Sequence, residues 1–185
     1  MLYGAAHGAL ELRQQQGGVR LAGRFPYATE AELAPGRFER FEARAFAERI
    51  EGGGDIHLLA GHDFNRPLAS RDAGTLTIRE TPEALEFEAD LSDGTSWARD
   101  FIAAHQAGLI RGISPGFRVP LGGERVERRA DGVLRRITRA QLFELSTVTR
   151  PAYPAAQVEA RNWNPLRRET TDRTALHRTF QRWRP

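Results

Sequence analysis

Between residues 75 and 91 the chain alternates apolar and polar positions with a period of two. Leu76 and Ile78 face one side, Thr81-Pro82-Glu83 makes a turn, and Leu85, Phe87, Ala89 and Leu91 resume the alternation. This pattern predicts an antiparallel hairpin with one buried face. The same period, or a compact apolar run bounded by turn residues, predicts further strands over 19–25, 37–42, 55–60, 117–121, 133–140 and 141–150. Pro26 closes the first, Pro35-Gly36 precedes the second, and Pro151 bounds the last. Asp131-Gly132 is a hairpin signal for pairing 133–140 with the segment before it. The spacing changes to that of a helix in two places. One is 43–50, ended by Gly52-Gly53-Gly54; the other starts at Thr95, an N-cap type, and carries Trp97, Phe101, Ile102 and His105 up to Gly108. About seven strands and at least two helices make this an α+β protein.

The ends lack such patterns. Residues 1–18 finish in Gln14-Gln15-Gln16-Gly17-Gly18 and are expected to be a flexible leader; 19–160 is then the domain. Residues 161–185 hold seven arginines against Glu169 and Asp172, with Leu166, Leu176, Phe180 and Trp183 giving a weak amphipathic pattern. This arginine-rich tail reads as a docking peptide, a nucleic-acid-binding arm or a disordered end. Without it the body is slightly acidic, so the high isoelectric point describes the tail rather than a nucleic-acid-binding body.

Composition removes several chemistries. There is no cysteine, hence no disulfide framework, thiol nucleophile or cysteine metal site. Every basic side chain besides histidine is arginine, so Schiff-base chemistry and lysine bases are excluded. No apolar run approaches the ~20 residues of a membrane span, and the start lacks a signal-peptide pattern. His57 and His62, five apart across a strand end, do not have metal-ligand spacing, and no metal or other cofactor is expected.

Three residues remain as candidates for chemistry. Ser114 lies in Gly112-Ile113-Ser114-Pro115-Gly116, where the glycines suit an exposed nucleophile and equally suit a β-turn. His62 follows Gly61 at the end of the 55–60 strand; it is either a presented base or a histidine bonded to Asp63 or backbone. Glu144 interrupts the core-like run Leu142 to Val148; it is either a buried carboxylate with partners or an outward residue paired with an arginine.

The combination resembles the prohead (capsid maturation) serine proteases of tailed phages, distant relatives of the herpesvirus assemblins. The resembling residues are Gly61-His62-Asp63 with Pro67-Leu68, the run from Gly108 to Phe117, and Phe143-Glu144-Leu145-Ser146-Thr147-Val148-Thr149-Arg150-Pro151-Ala152; the resemblance spans about 19–158. It implies a small, mostly antiparallel β-barrel with surrounding helices. It also implies Ser114 as nucleophile, His62 as general base and Glu144 as third member, a position the assemblins fill with a second histidine. Imidazole, with an ordinary pKa of ~6.5, can take the serine proton and return it to the leaving amine. Pro115 has no N–H to offer a developing oxyanion; Gly116, Ser114 and the backbone near Thr149-Arg150 are the expected donors, with Arg150 as a further oxyanion candidate. The substrates implied are a scaffold segment of the major capsid protein, or a separate scaffold, and the protease itself. A homodimer, and action inside the immature capsid in the bacterial host cytoplasm, follow from the same resemblance, for a phage, a prophage or a phage-derived gene transfer agent. Two other readings compete: a non-enzymatic capsid-assembly or scaffold-binding protein, and a nucleic-acid-binding protein acting through the tail.

Overall fold

The alternation of 76–91 appears in the computed structural model as strands β8 (Leu76–Glu80) and β9 (Ala84–Leu91), paired antiparallel from Leu76↔Ala89 to Glu80↔Leu85. The structure describes residues 2–3, 9–15 and 18–149. The other strands are β1 (Leu2–Tyr3), β2 (Ala9–Gln15), β3 (Gly18–Pro26), β4 (Ala31–Ala34), β5 (Arg37–Phe41), β6 (His57–Ala60), β7 (Asp63–Ser70), β10 (Gly112–Arg118), β11 (Glu124–Arg129), β12 (Gly132–Ile137) and β13 (Gln141–Val148). Two helices join them, α1 (Ala47–Glu51) and α2 (Ser96–Gln106). Thr95 caps α2 by accepting the Ala98 N–H, and Gly108 leaves the helix at a φ of +74°. The arginine-rich tail and Arg150 lie outside the described residues.

The strands form three sheets, ordered β1-β10-β13-β6-β7, β11-β12-β5-β4 and β2-β3-β9-β8. Strands therefore dominate the fold as expected. The ladders among the described residues leave three open sheets, however, and do not close them into the expected barrel. Two neighbouring pairs, β12–β5 and β13–β6, are parallel. Such pairs need crossovers, which a sequence read hairpin by hairpin does not reveal. Among the described residues thirteen strands stand where about seven were expected, because the additional ones are short or lack alternation. The segment expected as a leader supplies two of them: β1 pairs with β10 and β2 pairs with β3.

What unites the sheets is packing. Phe25 of β3, Phe41 of β5 and Phe117 of β10 come one from each sheet, with Phe46 wedged among them just before α1. Ring centroids are 5.2 Å apart for Phe25–Phe41 and for Phe41–Phe46, and 4.9 Å for Phe41–Phe117. The first and last pairs are edge-to-face and the Phe41–Phe46 pair is stacked; aromatic pairs of these kinds add ~0.5–1.5 kcal/mol each beyond their burial. Leu58, Ile113 and Leu145 bring the core-facing side of the five-stranded sheet into the same cluster. The opposite side of that sheet carries the candidate chemistry.

Candidate active site

Strand alternation decides which side chains meet. In the ladder of β10 with β13, Ile113 faces Thr147, Ser114 faces Ser146, Pro115 faces Leu145 and Gly116 faces Glu144. Ile113 and Leu145 point into the core, so Ser114, Gly116, Glu144 and Ser146 share the other face. Directly opposed residues of an antiparallel pair have Cβ atoms ~5 Å apart. Ser114 is thus not in a turn before a strand. It is the third residue of a central strand, 2% exposed, with the bulge placed after it between Gly116 and Phe117.

His62 arrives from the neighbouring pair. Ala60 of β6 pairs with Asp63 of β7, leaving Gly61 and His62 as a two-residue hairpin loop. Their φ angles are +65° and +63°, the signature of a type I′ turn. Glycine takes this conformation freely; for histidine it costs ~1–2 kcal/mol. The strained turn lies beside β13, because β6 runs parallel to β13 with Leu59 level with Ser146. The imidazole Nδ1 is 2.8 Å from Glu144 Oε1, and the His62 backbone N–H donates to Ser146 Oγ at 3.0 Å. Asp63, one of the two partners the alternative reading offered, is not the group the imidazole Nδ1 meets. Its carboxylate instead accepts from the backbone and side-chain amides of Asn65, at 2.9 and 3.1 Å, and faces Arg66.

Glu144 is fully buried and does not turn outward toward an arginine. One oxygen faces His62; the other accepts from the Ser146 hydroxyl at 2.5 Å. A buried carboxylate without partners would cost several kcal/mol, and these two bonds supply them. Space for it comes from Gly116. A Cβ built at that position would lie 2.0 Å from Glu144 Oε1 and 2.7 Å from its Cδ. Besides the amide for which it was expected to matter, Gly116 contributes the absence of a side chain beneath the carboxylate.

Ser114, His62 and Glu144, distant in sequence, thus gather on one side of one sheet. The His62 side chain, 17% exposed, makes the turn the open edge of the group. The other two described histidines stay apart. His57 Nε2 pairs with Asp55 at 3.3 Å, and His105 Nδ1 lies 2.7 Å from the Ile110 carbonyl oxygen, its ring stacked on Phe101. Among the described residues no cluster of acidic or histidine side chains could hold a metal ion, and no helix is long and apolar enough to cross a membrane. Sequence reasoning missed Ser146. A serine within a run of β-formers carries no local signal, and its partner His62 is brought to it only by the turn between β6 and β7.

The comparisons with known proteins bear on what such a group does. No curated protein and no solved structure matches the chain. A family model described as caudovirus prohead serine protease matches residues 9–169, which takes in every element from β2 to β13. The chain belongs to the caudovirus prohead serine proteases, and is a serine peptidase of phage capsid maturation.

Proposed function

We propose that Ser114 is the nucleophile of this peptidase, His62 its general base and Glu144 the carboxylate that orients the base. The observation that carries this reading is the 2.8 Å contact of His62 Nδ1 with buried Glu144, on the sheet face where Ser114 opposes Ser146. An ionised carboxylate only accepts hydrogen bonds, so the proton of the neutral imidazole resides on Nδ1 and Nε2 is the basic nitrogen. In the reaction, Ser114 Oγ attacks the scissile carbonyl carbon while its proton passes to His62 Nε2. The carbonyl π electrons move onto oxygen, giving a tetrahedral oxyanion and an imidazolium beside Glu144. Collapse breaks the C–N bond as Nε2 returns the proton to the leaving amine, leaving an acyl-Ser114 ester. Water then attacks this ester by the same route, its proton passing through His62 to Ser114 Oγ, and the acid product leaves. Pro115 lacks an N–H, so oxyanion donors are sought at the Gly116 amide and at the backbone N–H of Thr149, just after β13.

The substrates proposed are the scaffold segment of the major capsid protein and the protease itself, cut within the immature capsid. The test of the catalytic assignment is labelling with a fluorophosphonate, which forms a covalent bond only with an activated serine, followed by mapping of the modified peptide. Label on Ser114 in the wild type, its disappearance in folded Ser114→Ala, and at least about 100-fold slower labelling in His62→Ala are expected. Label on another serine, or wild-type labelling of His62→Ala, would overturn the assignment.

A further inference from the structure

We infer that Ser146 is a positioning residue of the catalytic group, holding both the base and the carboxylate in register through one hydroxyl. This rests on the roles proposed above for His62 and Glu144.

The Ser146 side chain is fully buried. Its hydroxyl has one proton and two lone pairs. The proton goes to Glu144 Oε2 at 2.5 Å, and a lone pair receives the His62 backbone N–H at 3.0 Å. With the 2.8 Å contact from His62 Nδ1 to Glu144 Oε1, the bonds close a ring: His62 main chain to Ser146, Ser146 to Glu144, Glu144 back to the His62 imidazole. Each link is fixed by backbone geometry. Glu144 and Ser146 are two apart on β13 and so share a face. His62 is held over that face by the two-residue turn between β6 and β7.

Two consequences follow for the chemistry. Ser146 assigns the carboxylate oxygens, occupying Oε2 so that Oε1 faces the imidazole, and this stops rotation of the carboxylate about its last bond. Ser146 also satisfies the amide of a histidine in a left-handed conformation, anchoring the main chain from which the ring projects. Without the hydroxyl, a buried acceptor and a partly buried donor lose their partner, and the ring can drift relative to Ser114. Misplacement of a reacting group by about 1 Å is enough to cost ~100-fold in rate. Its single donor is committed to Glu144, so it acts through its neighbours.

The experiment measures the rate of fluorophosphonate labelling of Ser114, across pH, in the full chain. Ser146→Ala is expected to slow labelling about 10–100-fold and to displace the inflection of the pH profile, with a clearly smaller loss in a Glu144→Ala background, where only the anchoring of the His62 main chain remains to be removed. Ser146→Cys keeps nearly the same volume but replaces a strong donor with a weak one. It secures the test if the alanine variant does not fold, and is expected to be slowed at least about 10-fold. Wild-type labelling by a folded Ser146→Cys or Ser146→Ala would overturn the inference, as would an equal loss with and without Glu144, which marks a merely structural residue. Failure of the underlying assignment looks different: labelling would then survive Ser114→Ala or move to another serine.

Discussion

Replacing Gly116 by alanine is a one-methyl perturbation aimed at the centre of the account. Gly116 does not adopt a left-handed backbone, so alanine meets no conformational barrier there. The difficulty is the neighbour: the new Cβ would lie 2.0 Å from Glu144 Oε1 and 2.7 Å from Cδ. Ordinary contact begins above 3 Å, so the carboxylate must retreat by about 1 Å or more. The His62–Glu144 contact, now 2.8 Å, then exceeds hydrogen-bond length. Overpacking of a filled interior costs ~1–3 kcal/mol of stability. Losing the orienting carboxylate costs far more in rate, ~10²–10⁴-fold, or ~3–5 kcal/mol in the barrier. The assay is the labelling rate of Ser114 at a temperature well below the melting point, with thermal unfolding followed in parallel. Gly23→Ala is the control. It drives a Cβ to 2.1 Å from the Phe87 ring in the β2-β3-β9-β8 sheet, a clash of the same size away from the site. Its melting temperature should fall while labelling of the folded protein stays unchanged. A Gly116→Ala protein that labels at the wild-type rate would refute the argument, because the carboxylate would then have moved without consequence.

Further predictions concern the scaffold around the site. Glu39 is buried, with Oε2 on Arg135 at 3.0 Å and Oε1 without a hydrogen-bond partner among the described residues, and burial pushes its pKa up to about 7. A carboxyl raised in the folded state stabilises the fold below its unfolded pKa, and that contribution is lost as pH rises through about 7. Stability should therefore decline between about pH 4.5 and 7 by up to about 3 kcal/mol from this group, and Glu39→Gln should flatten the decline in melting temperature measured over that window. Glu30 and Glu42 have the opposite sign, since hydrogen bonds from Arg129 and Arg136 lower their pKa values. Their contribution is lost only as the solution is acidified below the ordinary carboxylate range, so it does not mask the Glu39 effect. Thr95→Ala removes the hydroxyl that caps α2 and should lower unfolding stability by ~1 kcal/mol in denaturant titration, leaving Ser114 labelling unchanged.

The legibility of this chain followed how local each signal was. Residues 76–91 announced a hairpin because one face is apolar along both strands, and Thr95 with Gly108 bounded α2 because capping is a local matter. Strand β11 showed only through the Asp131-Gly132 hairpin signal, which its antiparallel pairing with β12 bears out; its own pattern says nothing, since Glu124–Arg129 is charged on both sides and is held by pairs such as Arg136–Glu127 and Arg135–Glu124. Strand β7 is absent from the sequence pattern because Pro67 interrupts it and its residues up to Arg66 are polar apart from Phe64; in the fold its pairing with β6 shifts register twice. Residues 9–15 were read as leader because the glutamines and glycines that follow outweighed Leu10 and Leu12. Ser114, His62 and Glu144 could be singled out as residue types in suggestive surroundings. Their common face could not, because it depends on β6 lying parallel to β13. Gly116 and Ser146 were read wholly through their own segments, whereas their contacts with Glu144 and His62 arise only in the folded sheet.

The most direct measurement is to co-express the chain with its cognate major capsid protein, as wild type and as Ser114→Ala, and to read the capsid protein's intact mass. The account predicts that the wild type shortens the capsid protein at a defined bond and that a folded Ser114→Ala protein leaves it at full length. Shortening at the same bond by the Ser114→Ala protein would contradict it and remove Ser114 from the chemistry.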